Sequence, residues 1–148
     1  MRALVQRVAR AEVRVDGRVV GAIGRGILVL LGVAPDDDAG TARALARRLV
    51  ELRIHGDADG RSNLALGDVG GSVLAVSQFT LYADTRRGRR PGFTGAAEPA
   101  HAEAIYDCFC AALGELGVTA ERGRFGAAME VELVNDGPFT LWLDTADR

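Results

Sequence analysis

Apolar and polar side chains alternate along the first segment of the chain, and no other pattern in the sequence limits the fold as strongly. The alternation runs through Met1 to Val8 and again through Glu12 to Val15, and it predicts a strand with one buried face. Asp16-Gly17 follows directly, and this dipeptide favours a tight hairpin turn of the mirror-image type. We therefore expect an antiparallel hairpin whose second strand is Val19 to Ile23.

The rest of the sequence contains further strand patterns and two helical ones. Acidic residues after Pro35, with leucines at 45, 49 and 52, predict a helix that ends near His55-Gly56. A second helix is expected from Pro99 to Gly117, with a buried stripe formed by Ile105, Phe109, Leu113 and Leu116. Gly56 to Gly71 has the composition of a polar loop. Strand patterns occupy Ile27 to Val33, Ser72 to Leu81, Val118 to Arg122, Met129 to Val134 and Phe139 to Asp144.

This order of elements predicts a single domain of the mixed α/β class spanning residues 1–148, with two main helices on a curved, largely antiparallel sheet. A chain of 148 residues is long enough to bury a core of its own, and no repeat or linker divides it. The longest apolar run, Ile27 to Ala34, is too short to cross a bilayer. We therefore expect a soluble cytoplasmic protein without membrane contact.

The sequence excludes several kinds of catalysis. It contains no lysine, since all 18 basic residues are arginine, and this removes Schiff-base chemistry, Ser–Lys catalysis and lysine-bearing phosphate loops. His55 and His101 lie far apart, and we expect each at the surface or at a helix end rather than as a catalytic base. Cys108 and Cys110 are two residues apart on a predicted helix and face different ways, which favours packing. We expect neither a metal ion nor another cofactor.

Two segments carry polar residues that strand packing does not require. Ser77-Gln78-Phe79-Thr80-Leu81 ends a predicted strand, where such side chains commonly satisfy backbone groups. Asn135-Asp136-Gly137-Pro138 separates the last two predicted strands, and its ordinary interpretation is a hairpin turn. A Gly-Pro peptide bond also adopts the cis form more readily than other bonds, which would point its carbonyls where a trans bond cannot. On pattern alone, both the structural and the functional interpretation stay open.

A third segment, residues 86–93, concentrates positive charge. It carries Arg86, Arg87, Arg89 and Arg90 beside Phe93. The net charge of the chain is −2, which argues against a protein that coats nucleic acid by bulk charge. A solvated basic loop is one interpretation, and a loop in which the four arginines contact phosphates is the other.

These same segments resemble the D-aminoacyl-tRNA deacylase family, first described as D-tyrosyl-tRNA deacylases. The resemblance runs nearly end to end, in family order and without a large insertion. It is carried by MRALVQRV at residues 1–8, VDG at 15–17, SQFTL at 77–81, RRGRRPGF at 86–93, GRFGAAM at 123–129 and LVNDGPFT at 133–140. Ala128 and Gly92 depart from the family pattern, which has an acidic residue and a serine there; these departures concern substrate preference.

The resemblance implies a homodimer with β/β/α layers and two active sites at the subunit interface. In each site, catalytic residues of one subunit would meet a cis Gly137-Pro138 turn of the other. The turn's carbonyls would hold the α-amino group and exclude an L side chain, while amides near the strand end would stabilise the oxyanion. The implied substrates are D-aminoacyl-tRNA and mischarged glycyl-tRNA. The implied catalytic residues are Ser77, Gln78, Phe79 and Thr80, and the implied substrate-binding residues are Gly137, Pro138, Phe125 and Met129.

The absence of a histidine base fits this reaction, because an activated ester needs only positioned water and oxyanion support. We favour a metal-free hydrolysis in which the 2′-hydroxyl of the substrate helps to activate water. A covalent Thr80 nucleophile ranks second, since no neighbouring base is evident. Two other functions fit parts of the sequence: an RNA-binding module without chemistry, and an esterase for small molecules.

Overall fold

The structure is a computed structural model that describes residues 1–147. Its long first strand organises the sheet. The elements are β1 (Arg2–Val15), β2 (Arg18–Ile23), β3 (Gly26–Gly32), α1 (Ala39–Glu51), β4 (His55–Gly56), β5 (Ser62–Leu64), β6 (Ser72–Ser77), α2 (Pro99–Glu115), β7 (Ala120–Arg122) and β8 (Glu130–Asp144), with short 3₁₀ helices at Gly67–Val69 and Phe79–Tyr82.

Strand β1 is paired along both of its edges. On one edge it pairs with β8 from Arg2 to Arg14, and on the other it pairs first with β3 and then with β2. All three pairings are antiparallel, whereas β3–β6 and β6–β7 are parallel. The sheet is therefore largely antiparallel, as the sequence predicts. Asp16 and Gly17 connect β1 to β2 with φ of 51° and 75°, which confirms the expected mirror-image turn.

Two hydrophobic clusters lie on opposite sides of the sheet, because side chains alternate along each strand. Ala3 and Val5 of β1 belong to the cluster between the sheet and the two helices. Ile27 and Val29 of β3 belong to that same cluster, whereas Leu28 between them belongs to the cluster enclosed by the curved sheet. At Gly21 on β2, an added side chain would collide with the backbone of β7, so the sheet curls until these strands approach each other. The result is the expected β/β/α layering.

The two helices lie where the sequence predicts them, with differences at their ends. The Asp38 side chain caps α1 by accepting a 2.7 Å hydrogen bond from the Thr41 amide. This helix ends at Glu51 rather than near residue 55, because Leu52 leaves the helical conformation. Gly117 follows α2 with φ of +79°, as expected, but Leu116 is the exposed C-cap and not part of the buried stripe. No helix among the described residues is long and apolar enough to cross a membrane.

Other predicted boundaries were wrong. The polar loop predicted for residues 56–71 contains the β4–β5 hairpin and a 3₁₀ helix, and the strand predicted to reach Leu81 ends at Ser77. The two strands predicted at the C-terminus form one element, β8. Within it Thr140 pairs with Gln6 and Asn135 pairs with Val8. The two positions on β8 are therefore farther apart in sequence than their two partners on β1, so β8 contains extra residues there. Residues 136–139 are therefore a bulge in one strand and not a hairpin turn.

Candidate functional site

A cavity of about 490 Å³ opens beside the C-terminal end of β6. Ser77, Gln78 and Phe79 line it from the strand end, and Phe125 and Met129 line it from the segment before β8. All five are predicted site residues, and the structure brings them together. A mostly apolar cavity with a few polar groups is the usual form of a small-ligand site.

The backbone changes direction at the edge of this cavity. The Gln78 amide donates a 2.8 Å hydrogen bond to the Leu31 carbonyl, and the 3₁₀ helix Phe79–Tyr82 begins immediately afterwards. Within residues 1–147, the amides of Phe79 and Thr80 have no hydrogen-bond acceptor outside this helix, as is usual for the first residues of a helical turn. Two backbone donors are therefore available next to the strand end. Phe79 lines the cavity, whereas the predicted catalytic residue Thr80 follows it and is not part of the lining. Thr80 is exposed, and its hydroxyl accepts a hydrogen bond from the Gln78 side-chain amide.

Aromatic residues form two walls of the cavity. Phe79 packs edge-on against Phe93, with ring centroids 5.0 Å apart, and this contact joins the strand end to the arginine-rich loop. Phe125 lies 6.1 Å from Tyr106, centroid to centroid. The Tyr106 hydroxyl donates a 2.8 Å hydrogen bond to the buried Ala75 carbonyl, and burial raises its pKa well above the ordinary value. Tyr106 is therefore a wall residue that keeps its proton rather than a base.

The Asn135–Pro138 segment is held in place by two side chains. The Gly137–Pro138 peptide bond is cis, and both residues are exposed. Arg7 donates hydrogen bonds to the carbonyls of Asp136 at 2.9 Å and Gly137 at 3.0 Å. The Asn135 side-chain amide donates to the Arg7 carbonyl at 2.8 Å and to the Phe139 carbonyl at 3.1 Å. The bulge in β8 thus has a fixed backbone with carbonyls near the surface.

Within one chain, this bulge and the cavity lie at different ends of the sheet. Gly137 and Pro138 do not line the cavity. Arg7, which contacts the bulge, pairs with Ile27 at the beginning of β3, whereas Gln78 bonds to Leu31 near the end of that strand. Ile27 and Leu31 are four residues apart, roughly 13 Å along a strand. The expected meeting of the two segments does not occur inside one protomer.

The arginine-rich loop is closed by Asp84 and Gly92, whose backbones exchange hydrogen bonds of 2.7 and 2.9 Å. Arg86 is bound to the Asp84 carboxylate through two side-chain hydrogen bonds of 2.8 Å, and this pairing holds the pKa of Asp84 well below its usual range. Among the described residues, Arg87, Arg89 and Arg90 have no acidic partner. Three of the four predicted RNA-binding guanidinium groups are therefore available to phosphates, and that of Arg86 is occupied.

A match to a known family model identifies the family of this chain. Residues 4–144 match the family model described as D-Tyr-tRNA(Tyr) deacylase. The chain belongs to this family.

Individual relatives agree with the family assignment. The D-aminoacyl-tRNA deacylase of Anaeromyxobacter dehalogenans (strain 2CP-C) is 61% identical over 145 residues, covering 98% of this chain and 97% of the relative. A solved structure named "c-Myc DNA Unwinding Element Binding Protein" is 38% identical with a TM-score of 0.91, covering 98% of this chain and 99% of its own. A probable eukaryotic D-amino acid tRNA deacylase has the same fold, with a TM-score of 0.85 at 18% identity and coverage of 96% and 97%.

The histidines and cysteines of this deacylase-family chain lie away from the cavity lining. His101 is exposed in the first turn of α2, where its Nε2 lies 2.8 Å from the Asp37 carbonyl oxygen. The prediction that His55 lies at the surface or at a helix end was wrong: it lies in β4 and is 0% exposed. Neither of its ring nitrogens has a hydrogen-bond partner within residues 1–147. Cys110 is buried and Cys108 half-buried. Within residues 1–147 no three His, Cys, Asp or Glu side chains group as a metal site would require. The absence of a cofactor stays a prediction.

Some residues that shape the site were not predicted from the sequence as site residues. The sequence places Phe93 beside the arginines but assigns it no role. An aromatic residue inside a basic segment is itself a signal for a binding surface. Tyr106 lies next to the stripe of α2, where its position resembles any core residue. Arg7 lies on the same face of β1 as Ala3 and Val5, because β1 pairs with β3 without interruption from Arg2 to Val8. A charged residue on that otherwise apolar face was the signal, but the alternation does not show what it contacts.

Proposed function

We propose that this chain hydrolyses the ester bond of D-aminoacyl-tRNA and releases the free D-amino acid and the tRNA. The observation that carries the proposal is the pair of consecutive amides, those of Phe79 in the cavity lining and of Thr80 directly after it, that have no hydrogen-bond acceptor outside their helix within residues 1–147. Ester hydrolysis places a negative charge on the former carbonyl oxygen, and fixed backbone donors stabilise that charge. The relative from Anaeromyxobacter dehalogenans is named for this activity, and the chain belongs to the corresponding family.

The hydrolysis that we propose uses no side-chain nucleophile. Ser77 and Gln78 shape the strand end, and the Phe79 and Thr80 amides receive the oxyanion. The 2′-hydroxyl of the terminal ribose helps to activate water. The cavity lining contains two titratable groups, Tyr106, which keeps its proton, and Glu98 at the N-terminus of α2. Positioning and oxyanion stabilisation supply the remaining catalysis.

We infer that the active protein is a homodimer in which Gly137 and Pro138 of one copy complete the cavity of the other. The separation of these two segments within one chain supports this arrangement. Large apolar side chains that are exposed on the isolated chain, Phe79 at 56% and Trp142 at 49%, give a second copy apolar surface to cover. The carbonyls of the turn would hold the α-amino group and leave no space for an L side chain. Glycine has no side chain, so glycyl-tRNA passes the same test.

The first experiment is a deacylation assay with D-tyrosyl-, L-tyrosyl- and glycyl-tRNA side by side. We expect rapid loss of the D-tyrosyl and glycyl esters and persistence of the L-tyrosyl ester. Uncharged tRNA should compete, because Arg87, Arg89 and Arg90 contact the RNA. Hydrolysis that uncharged tRNA does not inhibit would indicate a small-molecule esterase instead. We expect the activity in the cytoplasm, where aminoacyl-tRNA is used.

The shared site can be tested by mixing two inactive variants, Gln78→Ala and Gly137→Val. An added Cβ at Gly137 meets no atom closer than 3.9 Å among the described residues, and the position is exposed, so Gly137→Val should fold. If each site combines the strand end of one copy with the turn of the other, a mixed dimer has one site with both defects and one intact site. Activity should therefore return on mixing. Continued inactivity of isolated mixed dimers would contradict the shared site.

Nucleic-acid binding without hydrolysis is the second candidate function. The 38% identical solved structure is named "c-Myc DNA Unwinding Element Binding Protein", and three arginines of the loop have no acidic partner in the part of this chain that the structure describes. A protein of this kind would bind charged and uncharged tRNA equally and leave all three esters intact. The deacylation assay therefore distinguishes the two candidates directly.

A further inference from the structure

Arg2, at the start of β1, joins the sheet to the short helix beside the cavity. Its Nε donates a 2.9 Å hydrogen bond to Oδ2 of Asp144 on β8, and its Nη1 donates a 2.9 Å hydrogen bond to the Leu81 carbonyl. The guanidinium carbon lies 4.4 Å from the ring centroid of Tyr82 and 5.7 Å from that of Trp142. One side chain thus contacts two elements that are far apart in sequence.

Apart from the packing of Phe79 against Phe93 and the bond from Gln78 to Leu31 before it, the 3₁₀ helix Phe79–Tyr82 has few contacts that fix it. None of its residues is fully buried, and its backbone bonds are local, such as Leu81 N to Gln78 O at 3.2 Å. At its end, the Tyr82 ring lies so close to Gly32 that an added Cβ would be 3.1 Å from it. Tyr82 is therefore held between Gly32 and the Arg2 guanidinium. The orientation of the C-terminal end of the helix against the sheet therefore depends on this contact and on the bond from Arg2 to Leu81.

We propose that Arg2 is a positioning residue for the deacylation. Its guanidinium fixes the Phe79–Tyr82 helix against the sheet, and the amides of Phe79 and Thr80 thereby keep their position beside the strand end that lines the cavity. Arg2 acts through Leu81 and Tyr82 rather than on the reacting atoms. The inference rests on the proposed function, because it concerns the same oxyanion donors.

Arginine is the side chain that this role requires. Its planar guanidinium donates in two directions in one plane, here to Asp144 and Leu81, while its face stacks on an aromatic ring. The lysine ammonium is a compact point charge that cannot reproduce this combination. Lysine at position 2 should therefore keep the attraction to Asp144 and lose part of the positioning.

Arg14 provides a matched control on the same strand. Its guanidinium also joins β1 to β8, through a 3.0 Å hydrogen bond to Glu132, and it pairs with Glu12 as well. The side chains of Arg2 and Arg14 are 34% and 33% exposed, so their ion pairs are equally accessible to solvent. The partners of Arg14 do not include the 3₁₀ helix.

The test compares Arg2→Met, Arg2→Lys and Arg14→Met by single-turnover deacylation of D-tyrosyl-tRNA and by hydrogen exchange of a peptide spanning residues 78–83. We expect Arg2→Met to lower kcat about 100-fold, which is the loss that a misplacement of about 1 Å can cause. KM should stay unchanged, because the arginine-rich loop is untouched. Arg2→Lys should recover part of kcat, and Arg14→Met should keep all of it. Exchange in the peptide should rise in Arg2→Met and not in Arg14→Met.

Equal effects of Arg2→Met and Arg14→Met on kcat would overturn the proposal, since they would reflect general stability. Unchanged exchange at residues 78–83 in Arg2→Met would overturn it as well. If Arg2→Met does not fold, Arg2→Lys carries both readouts. A wild-type protein that hydrolyses none of the esters would refute the proposed function, and the exchange comparison would still decide whether Arg2 fixes the helix.

Discussion

The Arg7 guanidinium donates a hydrogen bond of 3.0 Å to the carbonyl oxygen of Gly137. The same group donates to the Asp136 carbonyl at 2.9 Å and to the Ile54 carbonyl at 2.5 Å. One side chain therefore sets the direction of two consecutive carbonyls on the bulge of β8 and ties them to the segment after α1. A carbonyl oxygen has two lone pairs, so the bond to Arg7 leaves Gly137 able to accept from a ligand.

Arg7→Lys should weaken both the fold and the selection of substrate. Lysine lacks the rigid fork that serves three carbonyls at once, and losing hydrogen bonds to a charged donor should lower the free energy of unfolding by about 2–3 kcal/mol. We expect slower D-tyrosyl-tRNA hydrolysis and a smaller ratio of D- to L-tyrosyl rates. Urea denaturation and paired deacylation assays measure the two effects.

Arg10→Lys is the control for this change, because Arg10 lies on the same strand and its ion-pair partner is Glu132. It should alter neither quantity appreciably. If Arg7→Lys loses stability but keeps the wild-type ratio of D- to L-tyrosyl rates, the carbonyls that Arg7 orients do not select the substrate.

Thr80→Ala should retain substantial deacylation. The Thr80 hydroxyl accepts a hydrogen bond from Gln78, but in the proposed mechanism the oxyanion is stabilised by the backbone amide, which alanine keeps. Glu98→Gln should be tolerated for a similar reason, because the 2′-hydroxyl of the substrate replaces a carboxylate base. Single-turnover rates on D-tyrosyl-tRNA test both variants. Covalent catalysis would be established instead if Thr80→Ala kept only residual activity and an acyl-Thr80 intermediate could be trapped in the wild-type protein.

The arginine-rich loop should govern RNA affinity and not the choice of amino acid. Arg87→Ala, Arg89→Ala and Arg90→Ala should each weaken D-tyrosyl- and glycyl-tRNA alike, since phosphate contacts carry no information about the amino acid. Each lost contact should flatten the log–log dependence of affinity on salt by roughly 0.7–0.9. Arg86→Ala should have a smaller effect, because Asp84 already occupies that guanidinium. Binding titrations at several salt concentrations provide the slopes, and a changed D-to-L rate ratio would place the loop in the amino-acid pocket.

Sequence patterns predicted the parts of the fold that depend on local preferences. The alternation of β1 and the Asp16-Gly17 turn are examples, because both follow from backbone geometry over a few residues. The bulge in β8 was not predicted. Its turn-forming residues, Asn135 to Pro138, indicated that the regular strand geometry is interrupted. Only the pairing in the structure shows that the segments before and after them both pair with β1.

The candidate site, too, was predicted only in the parts that local motifs encode. The motifs predicted that Ser77–Phe79, Phe125 and Met129 contribute to one site, and the cavity contains all of them. Arg2 and Arg7 lie on opposite faces of β1. Arg2 is on the polar face, where solvated arginines are common, and Arg7 is on the face of Ala3 and Val5. Their contacts to Leu81 and Gly137 join residues 79 and 130 positions apart, and no local pattern encodes such a distance.

His55 should make the stability of this protein depend on pH. Its ring is buried and has no hydrogen-bond partner among residues 1–147. The pKa of the imidazole lies below its ordinary value of 6.5, chiefly because burial disfavours the charged form. Repulsion from Arg25 and Arg7 lowers this pKa further, and the attraction from Asp136 opposes them more weakly. As pH falls, the unfolded chain therefore binds this proton before the folded one does. The contribution of His55 to the free energy of unfolding is complete above about pH 6.5 and declines as pH falls toward the lower folded-state pKa.

His55→Phe and His55→Leu should remove this part of the pH dependence. Between pH 7.5 and 5.5, the wild-type free energy of unfolding should fall more steeply than that of either variant, with a difference in slope of at most about 1.4 kcal/mol per pH unit for one proton. Urea denaturation at several pH values gives the slopes. Absolute stability will also change, because the variants differ from histidine in volume and lack its two unpartnered nitrogens, but a constant offset does not alter a slope. Parallel slopes would show that the His55 imidazole is not the titrating group, despite its burial.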